Sequence, residues 1–337
     1  MRQEFRKVEE RAGVDLRAFR DQIVPRNQPV VMRGLVRSWP AVQAGLESDA
    51  TLATYIGALD KGRPVETLVG PSAIKGRFFY RDDLKGLNFE RRQEPISASL
   101  NVLLSQQNGS GARFVQSASV PENLPGFTEA NVLALVGTSA IPRIWIGNAI
   151  TVATHYDLSY NIACVVGGRR RFTFFPPEQI RNLYVGPLHL TLAGQPVSMV
   201  ALDEPNLARY PRFAEALSAA QQVELGPGDA VYIPYFWWHH VQSLTPFNVL
   251  VNYWWNEWEQ AATSPYDCLL HGLLALRNLP EDQRAAWRAV FDHYVFQTGG
   301  DPVAHLPIES RGALGPMTPE QASQIRAGLL RRLNRPT

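Results

Sequence analysis

Between residues 141 and 258 the chain breaks into short β-rich runs, at 144–146, 160–166, 171–175, 230–233 and 248–254. Gly, Pro or polar turns separate them. Short strands with this punctuation predict a sandwich or barrel rather than an open helical bundle. Leu225-Gly226-Pro227-Gly228-Asp229 reads as a tight turn that feeds the strand 230–234, just ahead of Trp237-Trp238-His239-His240.

The flanks read differently. Residues 14–24 have roughly helical spacing, 29–35 a short strand closed by Gly34, and 52–56 the start of a helix. Residues 60–92 are loop-rich, with a strand-like piece at 77–80. Residues 100–104 suggest a short helix, and a region of strands and turns opens at 114–116. After Glu259 the spacing becomes helical, with one helix opening at Ser264-Pro265 and a second over 280–295. A third has Thr318 as N-cap and Pro319 in its first turn. The expected division is a domain over 1–258 with an N-terminal extension, and a helical segment over 259–337.

Of the 337 residues, 45% are hydrophobic and 19% charged, a balance that supports a substantial globular core. The net charge of +2 gives no basic surplus for a nucleic-acid partner. No apolar run approaches the ~20 residues that span a bilayer, and the charged N-terminus has no signal-like apolar stretch. With only Cys164 and Cys268 present, a disulfide scaffold is not expected and a reducing, cytoplasmic compartment is.

Within the β-rich block stands Thr154-His155-Tyr156-Asp157. Alternation along a strand puts His155 and Asp157 on one face and turns Tyr156 away. Taken alone, a His-x-Asp pair also fits a hydrogen-bonded turn. A distant histidine, fed by the Gly-rich turn and walled by aromatics, completes a two-histidine, one-carboxylate set suited to Fe(II). His239 and His240 compete for that third place, since only one can face inward. The absence of thiolate nearby argues against structural zinc.

Several motifs together carry a resemblance: Pro29-Val30-Val31-Met32-Arg33-Gly34, Thr154-His155-Tyr156-Asp157, Phe174-Phe175-Pro176-Pro177, and Pro227-Gly228-Asp229 followed by Ile233-Pro234 and Trp237-Trp238-His239-His240-Val241. In order and spacing they resemble the cupin-like branch of the JmjC oxygenases, the branch that contains the asparaginyl hydroxylase of the hypoxia-inducible factor. The resemblance implies a mainly β fold: a double-stranded β-helix (jelly roll) core with N-terminal α/β elements and C-terminal helices. It also implies Fe(II) held by His155, Asp157 and His239, with 2-oxoglutarate as co-substrate. Asn161, Arg170, Asn252 and Thr151 match positions near the co-substrate, and Gln116, Tyr156 and Trp254 fall on the substrate side. The C-terminal helices match a dimerisation segment, so a homodimer is expected.

Three positions depart from the family pattern. Arg170 stands where a lysine pairs with the distal carboxylate of 2-oxoglutarate. Phe114 replaces a tyrosine whose hydroxyl helps hold that carboxylate. Val152 takes the place of a threonine, unless a one-residue shift brings Thr151 there. The expectation is a dioxygenase that hydroxylates a protein, peptide or small molecule and releases succinate and CO₂. The alternative is a metal-binding cupin used as a sensor or binding module.

Overall fold

The computed structural model describes residues 5–105, 111–256 and 264–334. The chain forms two compact units, 1–256 and 257–337.

The first unit contains β1 (Arg6–Lys7), β2 (Glu9–Ala12), β3 (Val30–Arg33), β4 (Val65–Gly70), β5 (Glu90–Glu94), β6 (Ala112–Ser119) and β7 (Pro142–Gly147). It continues with β8 (Thr151–His155), β9 (Tyr160–Gly167), β10 (Arg170–Phe175), β11 (Gln221–Leu225), β12 (Ala230–Ile233), β13 (Trp238–Ser243) and β14 (Asn248–Trp255). The smaller sheet has the order β1-β11-β10-β13-β8, and the larger the order β2-β3-β12-β9-β14-β7-β6-β4-β5. From β7 to β14 the chain passes back and forth between the two sheets. This is the double-stranded β-helix, closed by β12-β9-β14-β7 on one side and β11-β10-β13-β8 on the other.

β9 shows why these residues make a central strand. Ile162, Cys164 and Val166 feed the cluster between the larger sheet and the helices Pro40–Glu47 and Asp49–Leu59. Ala163 and Val165, on the opposite face, feed the cluster between the sheets together with Phe172, Phe174, Val223, Val231 and Val241. A strand buried on both faces reads as a continuous apolar run instead of an alternating one. A third cluster, which includes Phe175, Trp238, Leu183, Val200 and Phe213, covers the outside of the smaller sheet.

Two glycines are fixed by backbone geometry. Gly168, in the β9–β10 turn, has φ of 74°, and a Cβ there would meet Phe247 O, Thr245 Oγ1 and Asn248 Oδ1 at 2.4–2.5 Å. Gly228, before β12, has φ of 94° and packs on Arg37. Both conformations are disfavoured for L side chains.

Two local expectations change. Residues 14–24 do not form one regular helix: an α turn (Leu16–Ala18), capped by Asp15, passes into a π turn (Phe19–Ile23) and a 3-10 turn (Val24–Arg26). Pro25 explains the break, because it lacks an N–H for a continuing ladder. Residues 77–80 make only isolated bridges, Arg77 to Thr151 and Tyr80 to Leu87. The aromatic run there serves burial, with Phe78 and Phe79/Tyr80 filling separate clusters.

The second unit holds helices Pro265–Ala275, Glu281–Tyr294 and Pro319–Leu333. The last begins with a Thr318/Gln321 capping box. Among its described residues only Val303, Ala322 are buried hydrophobics, while Leu274, Phe296 and Ile308 are 79%, 65% and 75% exposed. No helix among the described residues is long and apolar enough to cross a membrane.

Candidate metal centre and its cavity

His155 ends β8 and His239 lies near the start of β13, directly opposite it in the ladder. Their ring centroids are 4.2 Å apart. Asp157 follows two residues after His155, with Oδ2 at 3.6 Å from His239 Nε2. One ligand atom from each of the three side chains lies within 4.8 Å of the others.

Both imidazoles are oriented in the same way. His155 Nδ1 lies 2.9 Å from the Ala153 carbonyl, and His239 Nδ1 lies 3.0 Å from that of Trp237. A carbonyl only accepts, so each Nδ1 carries the proton and each Nε2 keeps its lone pair for the centre. Burial, and next the neighbouring His155, push His239 down to about 4, against the pull of Asp157. The ring is therefore neutral near pH 7, as a metal ligand must be. Two imidazoles and a carboxylate, with no thiolate beside them among the described residues, fit a divalent iron held by one face.

The larger sheet holds the carboxylate. Trp254 Nε1 donates to Asp157 Oδ2 at 3.1 Å, and Asn161 Nδ2 does so at 3.4 Å. Asn252 Nδ2 donates to Asn161 Oδ1 at 3.2 Å, and Trp145 Nε1 to Asn252 Oδ1 at 2.7 Å. The turn before β13 is tied in as well: Phe236 N donates to the Asp157 carbonyl at 3.1 Å. Phe236 holds φ at 66°, a left-handed conformation of the kind that concentrates at functional sites.

The three side chains open onto a cavity of about 380 Å³. Arg170 enters this cavity from β10 and is 2% exposed. Its Nε and Nη2 are buried and have no partner among the described residues. Burial alone pushes the guanidinium down to about 9. Arg169 and Arg171 turn the other way and both pair with Glu224. The cavity thus carries a cation with no resident counter-ion, and such a group demands an anionic partner.

Residues 16–260 match the cupin-like domain family. The chain belongs to that family, on its JmjC side. It is 36% identical over 132 residues to the lysine-specific demethylase JMJ31 of Arabidopsis thaliana, covering 39% of this chain and 22% of that protein. It is 28% identical over 271 residues to the bifunctional peptidase and (3S)-lysyl hydroxylase JMJD7 of Homo sapiens, covering 72% and 81%. To the Jumonji C domain-containing protein 5 of Drosophila melanogaster it is 26% identical over 246 residues, covering 71% and 57%. The chain thus spans under two thirds of the plant and fly relatives.

In this cupin-like protein Thr151, Phe114, Gln116, Asn161, Asn252 and Trp254 also line the cavity, and so does Val152. Gln116 reaches it through a bulge. Between Val115 and Ala118 the ladder with β7 slips by one residue, and Ser117 adopts φ of 52°. Arg143 Nη1 donates to the Ser117 carbonyl at 3.0 Å.

Tyr156 is a correction. It does not line the cavity, and is 4% exposed within the outer cluster. Its ring stacks on Phe236 at 4.1 Å and meets Trp238 edge-on at 4.7 Å. The alternation of β8, carried on past its last residue His155, accounts for this placement, because a residue between two inward ligands points outward. Trp237 and Trp238 do not reach the cavity either: Trp237 packs between the sheets and Trp238 outside the smaller one. His240 likewise faces outward, 3.3 Å from Thr154 Oγ1, and burial pushes it down to about 3.

Trp145, which anchors the amide chain behind Asp157, escaped sequence reasoning. The loop over 180–222, expected from the sequence to line the pocket, does so through an excursion closed by the Val185–Ser198 bridge, which brings Leu192, Gln195 and Val197 to the cavity wall. Tyr80 Oη donates to the Leu190 carbonyl at 2.8 Å and Arg91 donates to that of Leu192, pinning the excursion from outside. Side chain-to-carbonyl bonds over such separations leave no local pattern.

Proposed function

We propose that this protein is an Fe(II)- and 2-oxoglutarate-dependent dioxygenase that hydroxylates a protein, peptide or small-molecule substrate. One observation carries the reading: His155, Asp157 and His239 converge in the cavity that also receives the buried, unpaired Arg170.

Fe(II) and 2-oxoglutarate, bound together, supply an O₂-dependent oxidation that releases succinate and CO₂. The residues of this chain do the rest. His155, Asp157 and His239 would hold the ion, the single carboxylate balancing part of its charge. Trp254 and Asn161 keep that carboxylate turned toward the histidines. Arg170 would take the distal carboxylate of the co-substrate, where a guanidinium offers two parallel N–H groups. Leu68, Phe78, Phe114 and Trp145 exclude water from one wall. Gln116 and Trp254 are the proposed substrate contacts, with Thr151 and Asn252 on the co-substrate side.

The test is succinate formation by the purified protein, dependent on Fe(II), O₂ and 2-oxoglutarate. An anaerobic charge-transfer band on adding Fe(II) and 2-oxoglutarate provides a readout without turnover. Phe114, which brings no hydroxyl to the cavity, favours a second reading as a metal-binding sensor. Tight metal binding with neither the band nor succinate would select that reading.

A homodimer through the helical unit accounts for its exposed apolar side chains, and a monomeric mass at micromolar concentration would refute it. The two free cysteines are in keeping with a reducing, cytoplasmic setting.

A further inference from the structure

A buried cation without an acid beside it needs other neighbours, and the strand opposite Arg170 supplies one. β10 and β13 run antiparallel without a slip, from Phe175 opposite Trp238 to Arg170 opposite Ser243. His239, Val241 and Ser243 therefore share one face of β13. The first two line the cavity. Directly opposed residues place their Cβ atoms about 5 Å apart. Ser243 is 7% exposed, and its Oγ is buried without a partner among the described residues, like Nε and Nη2 of Arg170. Two unsatisfied polar groups thus sit side by side at the same rung.

The backbone around the pair is fixed. Ser243 N donates to the Ile150 carbonyl and Leu244 N to the Arg169 carbonyl, both at 2.8 Å. The Gly168 turn that leads into Arg170 is seated against Thr245, Phe247 and Asn248. A serine hydroxyl needs only rotation to become an acceptor.

We propose that Ser243 is a positioning residue for Arg170, an inference that rests on the dioxygenase reading above. Its hydroxyl accepts one guanidinium N–H and sets the plane of the fork, so that the remaining N–H groups meet the distal carboxylate of 2-oxoglutarate. A guanidinium has five N–H donors and a carboxylate satisfies about two of them. An acceptor from the protein is therefore needed to keep the buried cation in one orientation. Phe114 contributes none, so Ser243 is the hydroxyl in register with the charge.

The experiment uses the full chain loaded with Mn(II) under anaerobic conditions. Calorimetry measures binding of 2-oxoglutarate and of 2-oxovalerate, which has the same keto-acid head and no distal carboxylate. Ser243→Ala should weaken 2-oxoglutarate roughly tenfold, the scale of one hydrogen bond to a charged group. It should leave 2-oxovalerate unchanged, and Ser243→Thr should restore most of the loss. Should Ser243→Ala fail to fold, Ser243→Cys replaces it, since a thiol is a weak acceptor. Unchanged 2-oxoglutarate affinity in the variant, or equal loss for both acids, overturns the role of Ser243 alone. No 2-oxoglutarate binding by the unaltered protein overturns the dioxygenase reading, and this inference with it.

Discussion

Trp254 donates its indole N–H to Oδ2 of Asp157 across 3.1 Å, from a strand of the opposite sheet. Trp254→Phe keeps an aromatic ring and removes the donor. Partners of metal-ligating groups typically contribute 10–100-fold to affinity. The variant should bind Fe(II) or Co(II) about tenfold more weakly, as read by competition with a chelating dye. Unchanged affinity would show that Asn161 suffices to hold the carboxylate.

His155→Ala and Asp157→Ala each remove one of three ligands. Both should abolish 2-oxoglutarate-dependent succinate release. Turnover at the original rate in either variant, assayed by succinate quantification, would contradict the ligand assignment.

Arg170 gives a prediction with a sign. Burial brings its guanidinium from the ordinary 12.5 to about 9. Only the cation attracts a dianion, so 2-oxoglutarate affinity should be full well below pH 9 and fall as the pH rises through it. The bound carboxylate favours the charged form in the complex, so the decline begins at the ligand-free value and levels off only at a higher pH. Binding of 2-oxovalerate should stay flat over the same range. An identical pH profile for the two acids would remove Arg170 from the anion site.

The same residue trades stability for binding. Arg170→Met replaces an uncompensated buried charge with an apolar side chain. A buried charge without a partner carries a desolvation penalty of about several kcal/mol, which an apolar side chain does not. In the absence of 2-oxoglutarate its urea midpoint should equal or exceed that of the unaltered protein. Its 2-oxoglutarate affinity should drop roughly 100-fold. A lower midpoint would mean that the cation is already compensated in the ligand-free protein.

Gly168→Ala tests the turn before Arg170. At φ of 74°, with three oxygens within 2.5 Å of the new methyl, the backbone must shift. The cost should be at least ~1–3 kcal/mol, read by urea denaturation, with weaker 2-oxoglutarate binding alongside. A neutral effect on both would show that the turn can move without disturbing β10.

Much of this was legible in the chain because it is written in local patterns. Alternation put His155 and Asp157 on one face and Tyr156 on the other, which makes the expected substrate contact of Tyr156 inconsistent with that pattern. Alternation alone left His239 and His240 open; the ladder decides it, since His239 faces His155 and His240 faces Thr173 and Thr154. The bulge at Gln116–Ser117 was not legible, because nothing in Val115-Gln116-Ser117-Ala118 announces a slipped register. Nor were the Trp145–Asn252–Asn161 chain and the Tyr80 and Arg91 clamp. These are contacts between residues 91 to 110 positions apart, or pairs joined only by sheet packing. Arg170 was picked out by family spacing, but its isolation from any acid is visible only once Arg169 and Arg171 are seen to turn toward Glu224.

The paired Nδ1-to-carbonyl bonds of His155 and His239 have a practical consequence. Each ring is fixed by its own strand, inside a core already closed by apolar packing, so neither has to swivel to meet an ion. Stripping the centre with a chelating agent should therefore leave the barrel intact, and re-adding iron should restore it without a refolding step.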